Sequence, residues 1–269
     1  MDRSLFRRGA CLVACFLWCA GCATGRYHDA YLLLDDLAAA GAVSRLERST
    51  AEPSRAPISY TIQGRASSGD LYLPGEGTPE AGVVLVPGAV PEGKDHESLV
   101  ELARALARVR FAVLTPELSG YRELEIRPDQ VREVADAFHY LVEHEELAPA
   151  GRAGIGAFSF AVGPAVLAAL EQDIRDRVRF VFGVGAYHDL RHAIRFFTTG
   201  YFEEDGELRS AEFSEYGRLV FAKSVQDQLR DPTDRATLEA MVEAKMKDPA
   251  ADLSALAGWD RKASRSIAC

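Results

Sequence analysis

Ser159 stands between two apolar stretches, in the sequence AGIGAFSFAVG that starts at Ala153. The first stretch predicts a buried strand and the second a helix, so the serine falls on the turn between them. Such a turn strains its central residue and accepts only small neighbours, which Ala157 and Ala161 supply in place of the usual glycines. A serine held there, with a helix N-terminus behind it, is suited to nucleophilic attack on a carbonyl carbon. The plainer alternative is that Ser159 only caps the helix.

The loop after the apolar run Ala81–Pro87 has two interpretations. Its backbone can donate the amide of Ala89 to an oxyanion hole, whose second donor is the amide of Phe160. Alternatively, the sequence GAVPEGKD from Gly88 resembles a phosphate-binding loop that is one residue short. A proline removes one amide donor from that loop, Glu92 adds a negative charge, and an aspartate replaces the magnesium-binding hydroxyl. We therefore favour the oxyanion interpretation.

A dinucleotide-binding fingerprint is imitated by Gly154 and Gly156. These glycines fall inside a predicted strand and not after it, and the third glycine of the fingerprint is missing. The pattern therefore gives little support to a nucleotide cofactor, and we expect no cofactor.

Strands and helices alternate around these motifs, which predicts an α/β sheet with parallel central strands. The predicted strands are Ile58–Ile62, Asp70–Pro74, Ala81–Pro87, Phe111–Thr115, Ala153–Ala157 and Arg179–Gly185, the first two as an antiparallel pair with a turn at Gly64 and Ser67–Gly69. The predicted helices are Leu99–Val109, Gln130–Glu145, Ala161–Glu171, Asp189–Thr198, Glu212–Leu229 and Thr233–Lys247, with a loop over Gly200–Gly206. The strand at Arg179 is expected to be buried like the others, and no later run is typical of a buried strand.

From Ile58 to Asp189 the chain resembles the α/β-hydrolase superfamily, above all bacterial esterases, lipases and dienelactone-hydrolase-like proteins. The resemblance is carried by VLVPGA from Val84, FAVLTPELSG from Phe111 and GAFSFAVG from Gly156. It implies an α/β-hydrolase-like, mostly parallel sheet flanked by helices. It also implies that the later helices form a C-terminal cap.

The activity that the resemblance implies is acyl transfer to water, with Ser159 as the nucleophile and the amides of Ala89 and Phe160 holding the oxyanion. A histidine would activate the serine, and an acid would orient the histidine. In this family both follow the serine on two further strands, whereas this chain has no such strands and no histidine beyond His192. We therefore expect a C-terminal truncation that removes the last two strands.

His188 is the best local substitute for the missing base, because it follows the last predicted strand and would share a sheet edge with Ser159. His96, in the loop after the oxyanion residues, is the second candidate. Either ring must come within hydrogen-bond distance of the serine to act as a base. Asp189 is expected to cap the following helix. Structural roles are expected for the other histidines of the body: His139, His144 and His192.

Four of the five cysteines lie within the first 22 residues, beside an arginine-rich start and the apolar run Gly9–Ala20. This order predicts a secretory signal. The tetrad from Cys19 to Cys22 resembles the bacterial lipobox, which implies lipidation of Cys22; the alternative is a signal peptide or anchor with an incidental cysteine. Lipidation and cleavage would leave Cys269 as the one free thiol, so we expect neither a disulfide nor a cysteine metal site.

The chain has 269 residues, 48% of them hydrophobic and 26% charged, which excludes disordered and collagen-like classes. Its formal net charge of −9 is poorly suited to nucleic acid. We expect a small-molecule acyl substrate, export to the bacterial cell envelope, and membrane attachment through Cys22, with the outer membrane favoured. The predicted organisation is a signal peptide over 1–21, an N-terminal helix and linker over 22–57, a hydrolase core over 58–190 and a cap-like region over 191–269.

The main hypothesis is thus a lipid-anchored serine hydrolase acting on ester or other acyl substrates. Its activity requires a base and an acid that the sequence does not show at the usual places. The alternative is a non-catalytic, hydrolase-like lipoprotein that binds a ligand or is vestigial.

Overall fold

A computed structural model describes residues 25–39, 41–212 and 215–253. The predicted signal peptide, the lipidation site at Cys22 and the thiol of Cys269 lie outside the described residues. None of the helices that the structure describes is both long and apolar enough to cross a membrane.

Six strands form one sheet: β1 (Ser54–Ile62), β2 (Arg65–Leu73), β3 (Ala81–Val86), β4 (Phe111–Pro116), β5 (Ala153–Phe158) and β6 (Val178–Val184). Their order across the sheet is β1-β2-β4-β3-β5-β6. The pairs β1/β2 and β2/β4 are antiparallel, and the other three are parallel. The mostly parallel sheet, flanked by helices, confirms the predicted α/β fold.

Helices cover both faces of the sheet: α3 (Glu97–Arg108), α4 (Gln130–Glu143) and α5 (Val162–Ala168). Successive side chains of a strand point to opposite faces. Val83 and Leu85 of β3 accordingly pack with Leu99 of α3, whereas Val84 packs with Phe138 of α4 on the other face. Two short helices precede the sheet, α1 over 25–38 and α2 (Arg45–Ser49).

The first hairpin is longer than predicted, and its turn includes Gly64 but not Ser67–Gly69. β1 and β2 meet at Gln63 and Gly64, whose φ angles are 50° and 82°. Two residues with positive φ form the tight turn that matches the twist of a hairpin. The predicted turn over Ser67–Gly69 is wrong: these residues belong to β2, and Gly69 pairs with Pro116 of β4.

β6 lies at the edge of the sheet, which corrects the expectation of a buried strand. Among the described residues it pairs only with β5. Phe180 is 43% exposed and Val184 is 54% exposed. Its apolar sequence predicted the strand correctly but not its burial, because burial depends on what covers the strand.

The C-terminal part contains α6 (Leu190–Thr199), β7 (Tyr201–Glu204), β8 (Glu207–Ser210), α7 (Glu215–Ser224) and α8 (Pro232–Lys247). The predicted loop over Gly200–Gly206 is wrong, since β7 and β8 form a hairpin there. Asp205 and Gly206 make its turn, both with positive φ, and Asp-Gly is a strong hairpin signal. The helix predicted over Glu212–Leu229 is also shorter, and a separate turn of 3-10 helix follows it at Gln226–Gln228.

Candidate active site

Ser159 occupies the turn between β5 and α5 with a φ of 53°. This left-handed conformation costs a non-glycine residue roughly 1–3 kcal/mol and persists only where the surroundings impose it. Ser159 itself is exposed, whereas Ala157 and Ala161 on either side are completely buried. The small neighbours therefore let the strand and helix pack tightly while the serine projects outward.

The carboxyl ends of β3, β5 and β6 meet at Ser159. A Cβ placed on Gly88, after β3, would lie 3.7 Å from the Ser159 Cβ, and one placed on Gly185, after β6, would lie 3.8 Å from the Ser159 Cα. Gly185 also has a positive φ of 69°, which glycine adopts without strain. The backbone thus approaches the serine closely from both neighbouring strands.

The two predicted oxyanion donors lie beside this serine. Ala89 is buried in the loop after β3, and its amide donates no hydrogen bond to the residues that the structure describes. Phe160 is in the first turn after Ser159, where helical N–H groups have no partner within the helix. Free amides at these two places are what an oxyanion hole requires.

Two tyrosine hydroxyls form hydrogen bonds with the backbone of Ala89 and Phe160, the residues that carry these donors. The Tyr216 hydroxyl of α7 donates to the Ala89 carbonyl oxygen over 2.7 Å, and burial raises the pKa of Tyr216 to about 12. The Tyr187 hydroxyl donates to the Phe160 carbonyl oxygen over 3.4 Å. A side chain at Gly163 would overlap that hydroxyl, so the glycine leaves room for Tyr187.

The C-terminal helices pack directly on the serine turn. Ala89 and Phe160 form a buried cluster with Val220 of α7, and Phe197 of α6 approaches the Phe160 ring with a centroid distance of 5.8 Å. Met246 of α8 packs on the same cluster. These helices therefore cover the edge of the sheet that carries Ser159.

An apolar cavity of about 610 Å³ opens at Ser159. Small-molecule sites have volumes of this order and are lined mainly by apolar side chains with a few polar groups. Here the polar side chains of the wall are those of Ser159, His96 and Ser98. Most of the rest of the wall is aliphatic or aromatic, and α1 contributes to it through Leu33 and Leu37.

The structure separates the two candidate bases. His96 lines the same cavity as Ser159, whereas His188 does not. His188 is exposed, and its ring lies 5.7 Å from that of His192. The side chain of Asp189 accepts hydrogen bonds from two backbone amides of α6, which confirms it as the cap of that helix. Within the described residues, no hydrogen bond joins either histidine to the serine.

Lys94, which in the sequence resembles the lysine of a phosphate-binding loop, forms an ion pair with Asp70. Its ammonium group donates to the Asp70 carboxylate over 2.8 Å, and Asp70 is buried. Arg55 shares the same carboxylate and also binds Asp95. The lysine is therefore part of an ionic network between β2 and the loop after β3. No group of three or more acidic, histidine or cysteine side chains among the described residues is placed to hold a metal ion.

Gly154 and Gly156 have a packing role. A Cβ on either residue would overlap the ring of Phe180 or Phe182 respectively, one strand away in β6. The glycines of β5 therefore accommodate the aromatic side chains of β6. This packing explains why the two glycines stand two residues apart, and it requires no bound dinucleotide.

Tyr187, Tyr216, Leu33 and Leu37 are among the side chains of the site that the sequence did not indicate. They come from segments remote from the motif or from helices outside the core. Gly163 was a faint signal for Tyr187, since a glycine after the serine indicates that something approaches closely. No local pattern links the other three to Ser159.

The sequence matches no protein-family model and no curated protein. Solved structures to which the chain is similar include a dienelactone hydrolase-like promiscuous phosphotriesterase from metagenomic libraries. It has a TM-score of 0.41 and 19% identity, over 52% of this chain and 63% of that chain. Brefeldin A esterase, a bacterial homologue of human hormone-sensitive lipase, has a TM-score of 0.40 and 18% identity, over 58% of this chain and 44% of that chain.

A hypothetical protein from Pseudomonas aeruginosa has a TM-score of 0.41 and 19% identity, over 74% of this chain and 55% of that chain. The chain thus spans less than two thirds of the length of each of these three proteins.

Proposed function

We propose that the protein is a serine hydrolase of esters or other acyl substrates. The observation that carries the proposal is the left-handed conformation of Ser159, exposed in a cavity beside two amides suited to an oxyanion. Backbone strain of this kind is concentrated at functional sites. A serine that merely caps a helix has extended backbone angles and needs no such strain.

In the proposed reaction the Ser159 Oγ attacks the substrate carbonyl carbon, and its proton passes to a base. The amides of Ala89 and Phe160 hold the resulting oxyanion. The bond to the leaving alcohol then breaks as the alcohol takes the proton, and water releases the acyl group from the serine by the same steps. No cofactor enters this sequence.

His96 is our assignment for the base, because it shares the cavity with Ser159. His188, the candidate favoured by the sequence, is the matched alternative. With a short p-nitrophenyl ester, His96→Gln should lower kcat and remove the acidic limb of the pH–rate profile, whereas His188→Gln should leave both unchanged. The reverse result would assign the base to His188.

A fluorophosphonate probe tests the nucleophile. Ser159→Ala should abolish labelling, while Ser98→Ala, which removes the other serine of the same cavity, should leave labelling intact. Equal labelling of the wild type and Ser159→Ala contradicts the proposal.

The apolar wall of the cavity favours a second candidate function, the reversible binding of an apolar small molecule without hydrolysis. In that case an apolar fluorescent dye would bind with the same affinity to the wild type and to Ser159→Ala, and no p-nitrophenyl ester would be hydrolysed at any enzyme concentration. Turnover that is removed by Ser159→Ala excludes this candidate.

We further propose that the protein is exported and anchored to a membrane, with the outer membrane favoured, through a lipid on Cys22. The support is the basic start, the apolar run Gly9–Ala20 and the tetrad CAGC. Labelled palmitate should be incorporated by the wild type and by Cys19→Ser, but not by Cys22→Ser. Incorporation that survives Cys22→Ser would refute the assignment.

A further inference from the structure

α1 carries an exposed apolar stripe, formed by Tyr27, Tyr31 and Leu34. Spacings of three and four residues place these side chains on one face of the helix. Tyr27 is 78% exposed and Leu34 is 66% exposed. On the opposite face Leu32 is buried against Leu46 of α2. The helix is therefore attached to the core by one side and presents apolar side chains on the other.

The stripe continues into the wall of the cavity. Leu37, three residues after Leu34, is exposed and also lines the cavity, as does Leu33 beside it on the helix. Ser159 lies on the same cavity wall. The apolar residues of α1 thus extend from its outer face into the wall of the cavity that holds the proposed nucleophile.

An exposed cation borders the stripe, although the chain as a whole is acidic. The Arg45 guanidinium donates to the Tyr31 hydroxyl over 2.9 Å and lies 6.0 Å from the centre of its ring. It also lies 3.9 Å from the Asp35 carboxylate of α1. Tyrosine, leucine and arginine together are typical of a surface that meets lipid headgroups, where an arginine attracts anionic lipids.

The chain before α1 indicates which surface the stripe would meet. The proposed lipid site at Cys22, which follows the apolar run Gly9–Ala20, lies just before the helix. Gly25 is the third residue after Cys22, and three residues span at most roughly 10 Å. A lipid on Cys22 would therefore hold α1 against the bilayer.

We propose that α1 lies on a phospholipid bilayer through Tyr27, Tyr31 and Leu34, and that apolar esters pass from the bilayer along Leu37 into the cavity. The proposed contact with the bilayer is supported by the exposed surface of α1 and by the sequence before it. The passage of substrate rests on the proposed hydrolase function.

Tryptophan fluorescence tests the contact with the bilayer. Leu34→Trp and, as a matched control, Leu208→Trp place a tryptophan at equally exposed positions, 66% and 64%, on α1 and on the β7–β8 hairpin. In phosphatidylcholine–phosphatidylglycerol vesicles that contain a doxyl lipid, the emission added at position 34 should shift to the blue and be quenched. The emission added at position 208 should do neither. Tyr27→Trp provides a second position on the stripe.

The contact is refuted if the emission added at positions 27 and 34 stays as accessible to aqueous iodide as that added at position 208. The native Trp259 is present in all variants, and Trp18 belongs to the predicted signal peptide that cleavage removes, so the native emission is the same in each comparison.

Two substrates test the passage of esters. The double variant Tyr27→Ser, Leu34→Ser should hydrolyse p-nitrophenyl acetate in solution like the wild type. Its rate on a long-chain p-nitrophenyl ester dissolved in vesicles should fall on the order of tenfold, because two apolar side chains no longer enter the lipid. The control Tyr201→Ser, Leu208→Ser removes two exposed apolar residues of the hairpin and should match the wild type on both substrates.

Equal loss on both substrates, or no loss on either, refutes the passage of substrate from the bilayer. If the wild type hydrolyses neither ester while the emission at position 34 is quenched, the hydrolase proposal fails and the contact with the bilayer stands.

Discussion

β4 and β6 are both apolar strands of one mostly parallel sheet, yet they differ in how much of each is buried. All but the first residue of β4 is buried, because β2 and β3 flank it and helices cover its faces. No residue of β6 is fully buried. Apolar area stabilises the fold only where water is removed from it, at roughly 25 cal/mol per Å². We infer that the inner strands supply the stability, while β6 chiefly contributes its carboxyl end to the site.

The largest effect should come from shortening one side chain in each strand. Leu114→Ala in β4 removes a completely buried side chain and should lower the free energy of unfolding by about 2–5 kcal/mol. Val181→Ala in β6 should lower it by less than about 1 kcal/mol, since Val181 is exposed. Denaturant titration measures both. A loss of similar size at Val181 would mean that β6 is covered in solution.

Two glycines, Gly69 beside β4 and Gly154 beside β6, provide a second comparison of the interior of the sheet with its edge. A Cβ at Gly69 of β2 would lie 2.6 Å from the carbonyl oxygen of Thr115 in β4, which the strand pairing holds in place. A Cβ at Gly154 of β5 would meet the ring of Phe180, which can turn outward at the edge. Gly69→Ala should therefore cost about 1–3 kcal/mol.

The matched substitution Gly154→Ala should cost clearly less in the same thermal or denaturant titration. Equal costs would show that the edge is as rigid as the interior.

Ser159 lies between the inner strands and the edge strand β6. Replacing it with glycine should relieve the strain of its backbone. Ser159→Gly should raise the free energy of unfolding by up to about 1 kcal/mol, because glycine adopts positive φ freely. Ser159→Ala keeps the Cβ and should bring no such gain. Both variants should lose fluorophosphonate labelling. If glycine and alanine have the same stability, the backbone at this turn is not strained.

We expect the smallest effect on the way in which the stability of the protein depends on pH. Hydrogen bonds from Arg122 and Arg55 lower the pKa of Asp95 from 3.8 to about 2. A lowered pKa in the folded state stabilises the protein above the unfolded value, and this stabilisation is lost as the pH falls through the folded value. The stability difference between the wild type and Asp95→Asn should therefore shrink between about pH 4 and pH 2.

Asp189, near the end of β6, is the control on the other side of the sheet. Backbone amides of α6 lower its pKa, chiefly that of Arg191, but asparagine caps a helix equally well. The stability difference between the wild type and Asp189→Asn should also shrink as the pH falls below about 4, but by less than at Asp95, since two amides and not two guanidinium groups lower the pKa of Asp189. A larger pH dependence at Asp189 than at Asp95 contradicts the comparison.

Much of the sheet could be predicted because its strands carry local signals. Continuous apolar runs at Ala81, Phe111 and Ala153 mark strands that are buried on both faces. The turns are harder to predict: Gly64 belongs to the first turn as expected, whereas the serine and glycine cluster at Ser67–Gly69 lies within β2. In the C-terminal part the Asp-Gly signal of the β7–β8 hairpin was overlooked.

The sequence by itself determined the serine turn, because small residues, an apolar strand and an apolar helix around Ser159 are local features. It also determined the alternation that makes a parallel sheet. Only the tertiary structure decided that His96, Leu33 and Leu37 share a cavity with the serine, and that Tyr216 holds the loop of Ala89. These contacts join residues far apart in the chain, and no local preference encodes them. For the same reason, the apolar sequence of β6 marked a strand but could not show that it lies at an exposed edge.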